Sequence, residues 1–297
     1  MLKGIDVSSF QGDINFQKVK ADGIDFVIIY GGMGRLASQK STYFEKNYQN
    51  ARSAGLKIGA YWYSYAKSAA EAELEAKACI AAIGNKEYDL PIFLDMEESS
   101  QFALGQNTCS AIVKTFCDYL IQKGIRAGLY ISYSPLMSHI RSDVRNAYPM
   151  WVAQYWNKCQ YDGAAIWQYS DKGEVNGIST YVDMNYLYDQ SLLQPSSQTS
   201  KTTSKSAQKS IDELAFEVLE GKWGNGNDRK RALIKANYNY WKVQQRVNEI
   251  LTRKSVDTIS KEVIDGKWSN GDERKRRLTL AGYNYTVVQK KVNELMK

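Results

Sequence analysis

The chain has 297 residues with a formal net charge of +7. Residues 1–195 carry 18 Lys and Arg against 20 Asp and Glu, a net of −2, whereas residues 196–297 carry 21 against 12, a net of +9, so the positive excess lies in the last third. A basic tail of this kind suits a nucleic acid, an anionic membrane or an anionic wall polymer as partner. The single histidine, His139, argues against zinc hydrolases and against Ser-His or Cys-His catalysis, so proton transfer in an enzyme of this composition falls to carboxylates.

The amino terminus, Met1–Val7, lacks the apolar core of a signal peptide, and no apolar run is long enough to span a membrane. We therefore expect a protein made in the cytoplasm, with no membrane insertion. The cysteines form no C-x-x-C pair and are expected to be reduced thiols: Cys79, Cys109, Cys117 and Cys159.

Residues 1–194 alternate apolar strand-like runs with helical stretches, which predicts an α/β domain. Eight strands and their helices in so few residues favour a compact, irregular β/α (TIM-like) barrel with some helices short or missing, and an open doubly wound sheet is the alternative. The predicted strands are Gly4–Val7, Asp25–Tyr30, Lys57–Tyr65, Pro91–Met96, Arg126–Ser132, Met150–Tyr155, Ala164–Tyr169 and Val182–Leu187. The predicted helices include Tyr43–Ala54, Ser68–Ile83, Cys109–Lys123 and Pro135–Asn146.

Residues 195–209 are rich in Ser, Thr, Gln and Lys without an apolar period, which predicts a flexible linker. The tail beyond it is an internal repeat, because Trp223 recurs as Trp268 at an offset of 268 − 223 = 45, and 22 of 43 positions of residues 210–252 are identical in residues 255–297. Each copy has helical periodicity with glycine stops, so we expect two small three-helix bundles, repeat 1 (210–252) and repeat 2 (255–297).

Acidic residues stand where barrel strands are expected to end. The first predicted strand contains Asp6, the fourth leads into Asp95 and Glu97, and the last contains Asp183. Reacting residues of β/α barrels lie at the carboxyl ends of strands, and residues two apart on a strand face the same way. Crowding of Asp95 and Glu97 should raise one pKa and leave a neutral acid, as a glycosidase needs. A solvated strand end or a Mg²⁺ or Ca²⁺ site is the alternative.

Aromatic residues near the same strand ends, together with one glycine-rich stretch, are expected to shape the cleft. Ring faces suit sugar stacking, and the candidate walls are Tyr61, Tyr63, Trp151, Trp167 and Tyr169. Gly31–Arg35 lacks the spacing of a phosphate-binding loop and is interpreted as a strand-to-loop turn near the cleft mouth.

Six motifs in order over residues 1–190 resemble glycoside hydrolase family 25, the Chalaropsis-type lysozymes. They are Gly4–Ser8 with Phe10–Gly12, Ile58–Tyr63, Leu94–Glu97, Trp151–Tyr155, Trp167–Ser170 and Val182–Asn185. One departure is the Gly31–Arg35 stretch, where the family often has Thr-Glu-Gly, so a contact at the rim differs.

The resemblance implies hydrolysis of the β-1,4 bond between N-acetylmuramic acid and N-acetylglucosamine, without a metal or cofactor. By position Glu97 matches the general acid, Asp95 its partner carboxylate, and Asp6 and Asp183 the other acids of the cleft. Gln154 joins the expected substrate contacts through its place in the fourth motif. Either a carboxylate or the substrate's own N-acetyl group serves as the nucleophile.

The tail is similar to the type 7 cell-wall-binding repeats of some phage lysins, which implies recognition of peptidoglycan muropeptide. Aromatic faces suit sugars and Arg suits carboxylates, although each of these residues is equally suited to packing. The candidate contacts are Trp223, Arg229, Tyr238 and Asn239 in repeat 1 and Trp268, Arg274, Tyr283 and Asn284 in repeat 2. Two repeats also raise the effective concentration at the wall.

The leading hypothesis is an endolysin-type muramidase whose partner is bacterial peptidoglycan and which reaches the wall after release from the cytoplasm or from outside. No nucleic-acid partner is expected, and the sequence specifies no oligomeric state. Two other classes stay open: a non-enzymatic wall-binding protein with a degenerate barrel, and a nucleic-acid-binding protein with a basic tail.

Overall fold

The structure, a computed structural model, describes residues 1–83, 86–193, 209, 211–236, 238–252, 255–280 and 283–296. The chain forms two compact units, Met1–Gln244 and Gln245–Lys297. The predicted linker at 195–209 lies outside the described residues except for Lys209, so its flexibility stays a prediction.

Eight strands close into a barrel in sequence order, which confirms the predicted barrel over the open sheet. The strands are β1 (Leu2–Val7), β2 (Phe26–Met33), β3 (Lys57–Tyr63), β4 (Ile92–Asp95), β5 (Ala127–Ser132), β6 (Met150–Ala153), β7 (Ala164–Gly173) and β8 (Val182–Leu187). Neighbours from β1 to β7 are parallel, whereas β8 is antiparallel to both β7 and β1.

The direction of β8 corrects the expectation that Asp183 lies at the carboxyl end of its strand. Residues 174–181, between β7 and β8, contain no helix. Parallel strands need a longer crossover connection, so this short one permits only an antiparallel hairpin. Asp183 therefore lies near the amino end of β8, which is the same face of the barrel as the carboxyl ends of the other strands.

Seven helices surround the barrel in the described part of residues 1–193, and several are short, as the size of the domain requires. They are α1 (Phe16–Ala21), α2 (Phe44–Ser53), α3 (Ala69–Ile83), α4 (Ser99–Phe102), α5 (Gly105–Gln122), α6 (Tyr133–His139) and α7 (Ser142–Ala147). The apolar side chains on their inner faces and on the strands form one continuous core.

The predicted single helix at Pro135–Asn146 is two helices, α6 and α7. The backbone of Ile140 and Arg141 between them is extended. The side chain of Ile140 is fully buried, and the backbone N–H of Arg141 donates to Oγ of Ser110 at 2.9 Å. Burial of Ile140 and the hydrogen bond to α5 stabilise the break more than a continued helix would. A local sequence pattern does not reveal these two contacts.

The Gly31–Arg35 stretch is only partly the turn that was predicted. β2 continues through Gly31 and Gly32 to Met33, with a register irregularity after Tyr30, and the turn begins at Gly34. At Gly32, where φ is 148°, an added Cβ would lie 2.5 Å from the carbonyl oxygen of Gln39 and 2.6 Å from the ring of Trp62. Glycine is thus required there by close approach, not by loop formation.

The carboxyl-terminal residues form three helices in each repeat, as predicted. They are α8 (Ile211–Leu219), α9 (Gly226–Lys235) and α10 (Tyr240–Thr252), followed by α11 (Val256–Ile264), α12 (Gly271–Leu280) and α13 (Tyr285–Leu295). The boundary between the two compact units falls within α10. Among the described residues, no helix is both long and apolar enough to cross a bilayer.

Candidate active site

Asp6 and Asp183 lie opposite each other on neighbouring strands. They are register partners in the antiparallel pairing of β1 with β8. Asp6 is 5% exposed, and its Oδ2 accepts a 2.7 Å hydrogen bond from Nδ2 of Asn185 and a 3.0 Å bond from Nε2 of Gln168. The carboxyl group of Asp6 is therefore fixed in the barrel interior by two side-chain amides.

Hydrogen-bond donors to the amide oxygens, on the side away from Asp6, set the orientation of both amide groups. Oε1 of Gln168 accepts from the hydroxyl groups of Tyr130 at 2.9 Å and Tyr155 at 3.0 Å, and Oδ1 of Asn185 accepts from the indole N–H of Trp151 at 2.7 Å. An amide whose oxygen is engaged in this way must direct its NH₂ group to the other side, here toward Asp6. The network thus holds one carboxyl group in one position.

The two aspartates share a side-chain hydrogen bond. Burial and the neighbouring charge of Asp183 raise the pKa of Asp6 well above its usual value, although the two amides act in the opposite direction. Partial burial also raises the pKa of Asp183, but the bond from Asp6 opposes that rise. Asp6 is therefore the member of the pair that holds a proton more readily, and Asp183 is the member better able to carry a negative charge.

Asp95 is the last residue of β4 and is 3% exposed. Its Oδ1 atom is buried and has no hydrogen-bond partner among the residues that the structure describes. Burial, followed by the charges of Glu97 and Asp6, raises its pKa well above the usual value. Because an unpartnered buried carboxylate is costly, the neutral acid is the favoured form of Asp95.

Glu97 follows the end of β4 and, as a residue, is exposed. Desolvation of its carboxyl group and the charge of Asp183 raise its pKa, whereas the nearby hydroxyl group of Tyr130 lowers it. The expectation that Asp95 and Glu97 continue one strand face is therefore only half right, because β4 ends between them. Asp95 is buried at the end of β4, whereas Glu97, two residues later, is an exposed residue whose acid has a raised pKa.

The four predicted acids thus lie together electrostatically at one end of the barrel. Asp6 is influenced by Asp183, Asp95 by Asp6 and Glu97, and Glu97 by Asp183. Among the described residues, no three acidic, His or Cys side chains converge in a way that could hold a metal ion. Graded burial within one cluster separates the pKa values, which is the arrangement that acid catalysis by carboxyl groups requires.

Two of the predicted aromatic walls border this cluster. Tyr61 is half-buried, 5.2 Å between ring centroids from Tyr30, and its pKa is raised by burial and then by the charges of Asp6 and Asp95. The hydroxyl group of Tyr63 donates to Oε1 of Glu98 at 2.8 Å. Both phenols stay neutral and keep an O–H donor close to the acids.

Of the other predicted wall residues, the two tryptophans are buried and the tyrosine is half-buried. Trp151 is 1% exposed, so its faces are closed to a sugar, and it supports the amide network rather than forming a wall. Trp167 is largely buried, and its indole N–H donates to the carbonyl oxygen of Gln154 at 2.7 Å. The side chain of Gln154 is bonded to Gln160 within the same loop. Tyr169 is half-buried and stacks on Tyr186 at 4.5 Å.

Four residues of the network were missed as site residues, namely Asn185, Gln168, Tyr130 and Tyr155, although the alternation of strand side chains could have identified the first two. Asn185 is two positions from Asp183 on β8, and Gln168 is its register partner on β7. Polar side chains on the inner face of a buried strand need partners, which is a signal of a site. Tyr130 carried no such signal, because a tyrosine in a strand usually fills the core.

In the repeats, the predicted contacts make matching bonds within their own bundle. Nε1 of Trp223 donates to Glu217 at 3.0 Å, and Nε1 of Trp268 donates to Glu262 at 3.1 Å. These rings meet Tyr238 and Tyr283, respectively, edge-on. Packing therefore accounts for much of what the repeat conserves between its two copies.

The predicted arginines and asparagines also bond internally. Arg229 donates to the carbonyl oxygen of Gly224, to Gln244 and to Asn225, and Arg274 makes the equivalent bonds to Ser269, Gln289 and Asn270. Asn239 and Asn284 accept backbone N–H bonds at the starts of α10 and α13. Contact of any of these residues with a ligand stays a prediction.

Comparison with known families matches residues 5–178 to the glycosyl hydrolases family 25 and residues 212–251 and 257–296 to the CW_7 repeat. The chain is similar to an autolytic lysozyme of Clostridium acetobutylicum, with 35% identity over 186 residues that make up 62% of this chain and 55% of that protein. It thus spans about half the length of this relative.

A second relative covers more of the chain. The lysozyme of Streptococcus phage Cp-7 is 28% identical over 255 residues, which are 83% of this chain and 69% of that protein. Among solved structures, the bacterial lysozyme from Streptomyces coelicolor is similar with a TM-score of 0.57 at 28% identity, over 65% of this chain and 95% of that one.

Proposed function

We propose that this chain, which belongs to the glycosyl hydrolases of family 25, is a muramidase that hydrolyses the β-1,4 bond between N-acetylmuramic acid and N-acetylglucosamine in bacterial peptidoglycan. The family resemblance and the two carboxyl-terminal repeats expected from the sequence are confirmed. The bacterial wall is then both the substrate of the barrel and the ligand of the repeats.

The observation that carries the proposal is the gradient of burial among the four acids. Glu97 is exposed at the rim with a raised pKa, while Asp6 and Asp95 lie buried beneath it. A glycosidic oxygen in the cleft meets Glu97 first, and a protonated carboxyl group there donates the proton that the leaving sugar needs. Glu97 is then an anion and accepts a proton from the water that completes hydrolysis.

The positive charge that develops at the anomeric carbon needs a negative partner. Asp183 is half-buried and accepts the proton of Asp6 in a hydrogen bond, which favours its ionised form. We assign the electrostatic role to Asp183 because Asp95 is deeper and its neutral form is favoured. The nucleophile is a carboxylate or the substrate N-acetyl group.

Exposed aromatic rings at the cleft side of the barrel offer stacking surfaces for the glycan. Tyr155 and Trp156, which follow β6, are 51% and 66% exposed. Phe10 and Tyr181, which follow β1 and precede β8, are 74% and 56% exposed and line an open groove of about 710 Å³. Such rings stack on pyranose faces and extend the binding surface beyond the bond that is cut.

The test is product analysis of digested Gram-positive peptidoglycan, by mass spectrometry and by counting new reducing ends and free amino groups. We expect reducing N-acetylmuramic acid ends without new amino groups. Glu97→Gln should lower the rate by a factor of about 10² to 10⁴, the usual contribution of a general acid. The matched control is Glu98→Gln at the next position, which should keep most of the activity.

Two outcomes would contradict the proposal. New amino groups without reducing ends would indicate an amidase or peptidase, and wall binding without any product would indicate a degenerate barrel that only binds. Wall retention at high salt with no retention on DNA would separate the wall from nucleic acid as the ligand of the basic tail.

A further inference from the structure

Among the differences between the two repeats, one concerns a residue that in repeat 1 contacts the barrel. Both copies carry the same lysine and tyrosine, as Lys230 with Tyr240 and as Lys275 with Tyr285. The residue after the tyrosine is Trp241 in repeat 1, whereas repeat 2 has Thr286 at the equivalent position, 241 + 45 = 286. Trp241 is therefore not explained by what the repeat needs for its own fold.

In repeat 1 these residues contact the barrel. Nζ of Lys230 donates to the carbonyl oxygen of Gly163 at 2.9 Å and lies 4.4 Å from the centre of the Trp241 ring. The indole N–H of Trp241 donates to Oδ2 of Asp189 at 3.2 Å. The hydroxyl group of Tyr240 donates to the carbonyl oxygen of Asn146 at 3.0 Å.

These groups are buried, although a lysine is seldom buried without a specific partner. Lys230 is 8%, Tyr240 2% and Trp241 9% exposed. Burial lowers the pKa of Lys230 to about 8, with Asp189 acting in the opposite direction. The carbonyl oxygen and the ring face supply what an ammonium group requires away from water. In repeat 2, Lys275 and Thr286 are exposed.

The contacted atoms belong to one face of the barrel. Gly163 directly precedes β7, Asn146 lies at the end of α7 before β6, and Asp189 follows the end of the antiparallel strand β8. All three therefore lie at the face opposite the catalytic carboxyl groups. A module held there leaves the cleft open to a polymeric substrate.

We propose that repeat 1, up to Gln244, docks on the surface formed by Asn146, Gly163 and Asp189 through Lys230, Tyr240 and Trp241, and that this part of it is a fixed part of the barrel's compact unit, whereas repeat 2 lacks the docking tryptophan. The two copies are then unequal in role. This inference is independent of the reaction that the barrel catalyses, since it concerns only contacts at the opposite face.

Hydrogen–deuterium exchange of the full chain tests the proposal. Trp241→Thr gives repeat 1 the residue of repeat 2, and Thr286→Ala is the matched control. We expect amides in residues 160–164 and 188–192 to exchange at least about tenfold faster in Trp241→Thr, which corresponds to about 1.4 kcal/mol, and to be unchanged in Thr286→Ala. Equal exchange in Trp241→Thr and in the unmodified chain, with α9 still protected, would overturn it.

If Trp241→Thr unfolds repeat 1, a second pair of variants, on the barrel side of the contact, tests the docking instead. Oδ1 of Asp189 also accepts from Ser191, at 2.6 Å from its hydroxyl group. Asp189→Ala removes this bond, the bond from the backbone N–H of Ser191 and the bond from Trp241, whereas Ser191→Ala removes only the bond from the hydroxyl group. Docking predicts faster exchange at residues 160–164 in Asp189→Ala alone. The same exchange there in both variants would contradict docking.

Discussion

The side-chain amide of Asn185 donates a 2.7 Å hydrogen bond to Asp6, which is 179 positions away in the chain. The bond joins the last strand of the barrel to the first at the level of the four clustered carboxyl groups. Closure of the barrel and positioning of the acid therefore depend on the same contact.

Asn185→Ala should lower activity more than stability accounts for. The change releases Asp6 and leaves the buried indole N–H of Trp151 without its acceptor, at a cost of about 1–3 kcal/mol. We expect kcat/KM on peptidoglycan to fall by roughly 10- to 100-fold, measured well below the unfolding temperature. Asn50→Ala, at an exposed position of α2, is the control and should change neither quantity.

Asp95→Asn should be more stable than the unmodified protein at neutral pH. The folded-state pKa of Asp95 is raised, so the stability that its protonated form contributes is present below the unfolded value of 3.8 and is lost as the pH rises through the folded value. Asparagine avoids that loss. The gain should reach about 1 kcal/mol or more at pH 7 and shrink toward pH 4, as measured by denaturant unfolding.

Asp143→Asn is the control of opposite sign. A hydrogen bond from Arg141 lowers the pKa of Asp143, so its contribution to stability is present above the unfolded value and is lost as the pH falls through the folded one. Because this pair is exposed, its loss should cost at most about 1 kcal/mol. If Asp95→Asn showed the same dependence on pH as this control, neutral burial of Asp95 would be wrong.

Tyr130→Phe should move the alkaline limb of the activity profile to higher pH. The hydroxyl group of Tyr130 lowers the pKa of Glu97, so its removal raises that pKa, and an acid that must be protonated stays active further into the alkaline range. Tyr155→Phe removes the other phenol bonded to Gln168 and should leave the limb in place. Profiles of kcat/KM against pH for the three proteins make the comparison, and identical limbs would argue against Glu97 as the acid.

Gly32→Ala should destabilise the barrel by about 3 kcal/mol or more, because the new methyl group would meet the carbonyl oxygen of Gln39 and the ring of Trp62. Gly55→Ala is matched in kind, since φ is 75° there but nothing lies within 4 Å of an added Cβ. Its cost should be only about 1 kcal/mol. Chemical unfolding of both variants measures the difference in the free energy of unfolding. Equal losses in the two variants would mean that the irregular part of β2 around Gly32 shifts to make room for the methyl group.

Arg274→Ala should unfold repeat 2 and weaken wall binding to the same degree, since the guanidinium group makes three bonds inside its own bundle. Arg274→Lys should fail to restore either property, because an ammonium group cannot reproduce the planar set of N–H donors of the guanidinium group. Lys290→Ala, exposed on α13, is the control. Loss of wall binding by a repeat that remains fully helical would instead identify Arg274 as a ligand contact.

Much of the barrel could be predicted from the sequence because apolar runs of strand length recur between helical stretches. All eight strands, the four acids and the three helices of each repeat follow from such local patterns. The direction of a strand does not, because a period of two is the same in both directions. Asp183 was therefore assigned to the wrong end of its strand, although to the correct face of the barrel.

Partners far apart in sequence were also beyond local patterns. Trp151 was expected to be a sugar wall as an aromatic residue near the strand ends of the cleft, yet its burial depends on Tyr130, Phe93 and Tyr61 packing around it. The break between α6 and α7 depends on a bond to Ser110 in another helix. Such contacts exist only after the chain has folded.

The reversed final strand has a consequence for how such a protein can be rebuilt. Because β8 runs antiparallel to its neighbours, the polypeptide leaves the barrel after Leu187 at the end remote from Glu97. Any sequence joined beyond that point, whether exchanged by recombination or fused in the laboratory, begins away from the groups proposed to react. Selection can therefore change the number and specificity of the attached modules without having to remake the catalytic chemistry.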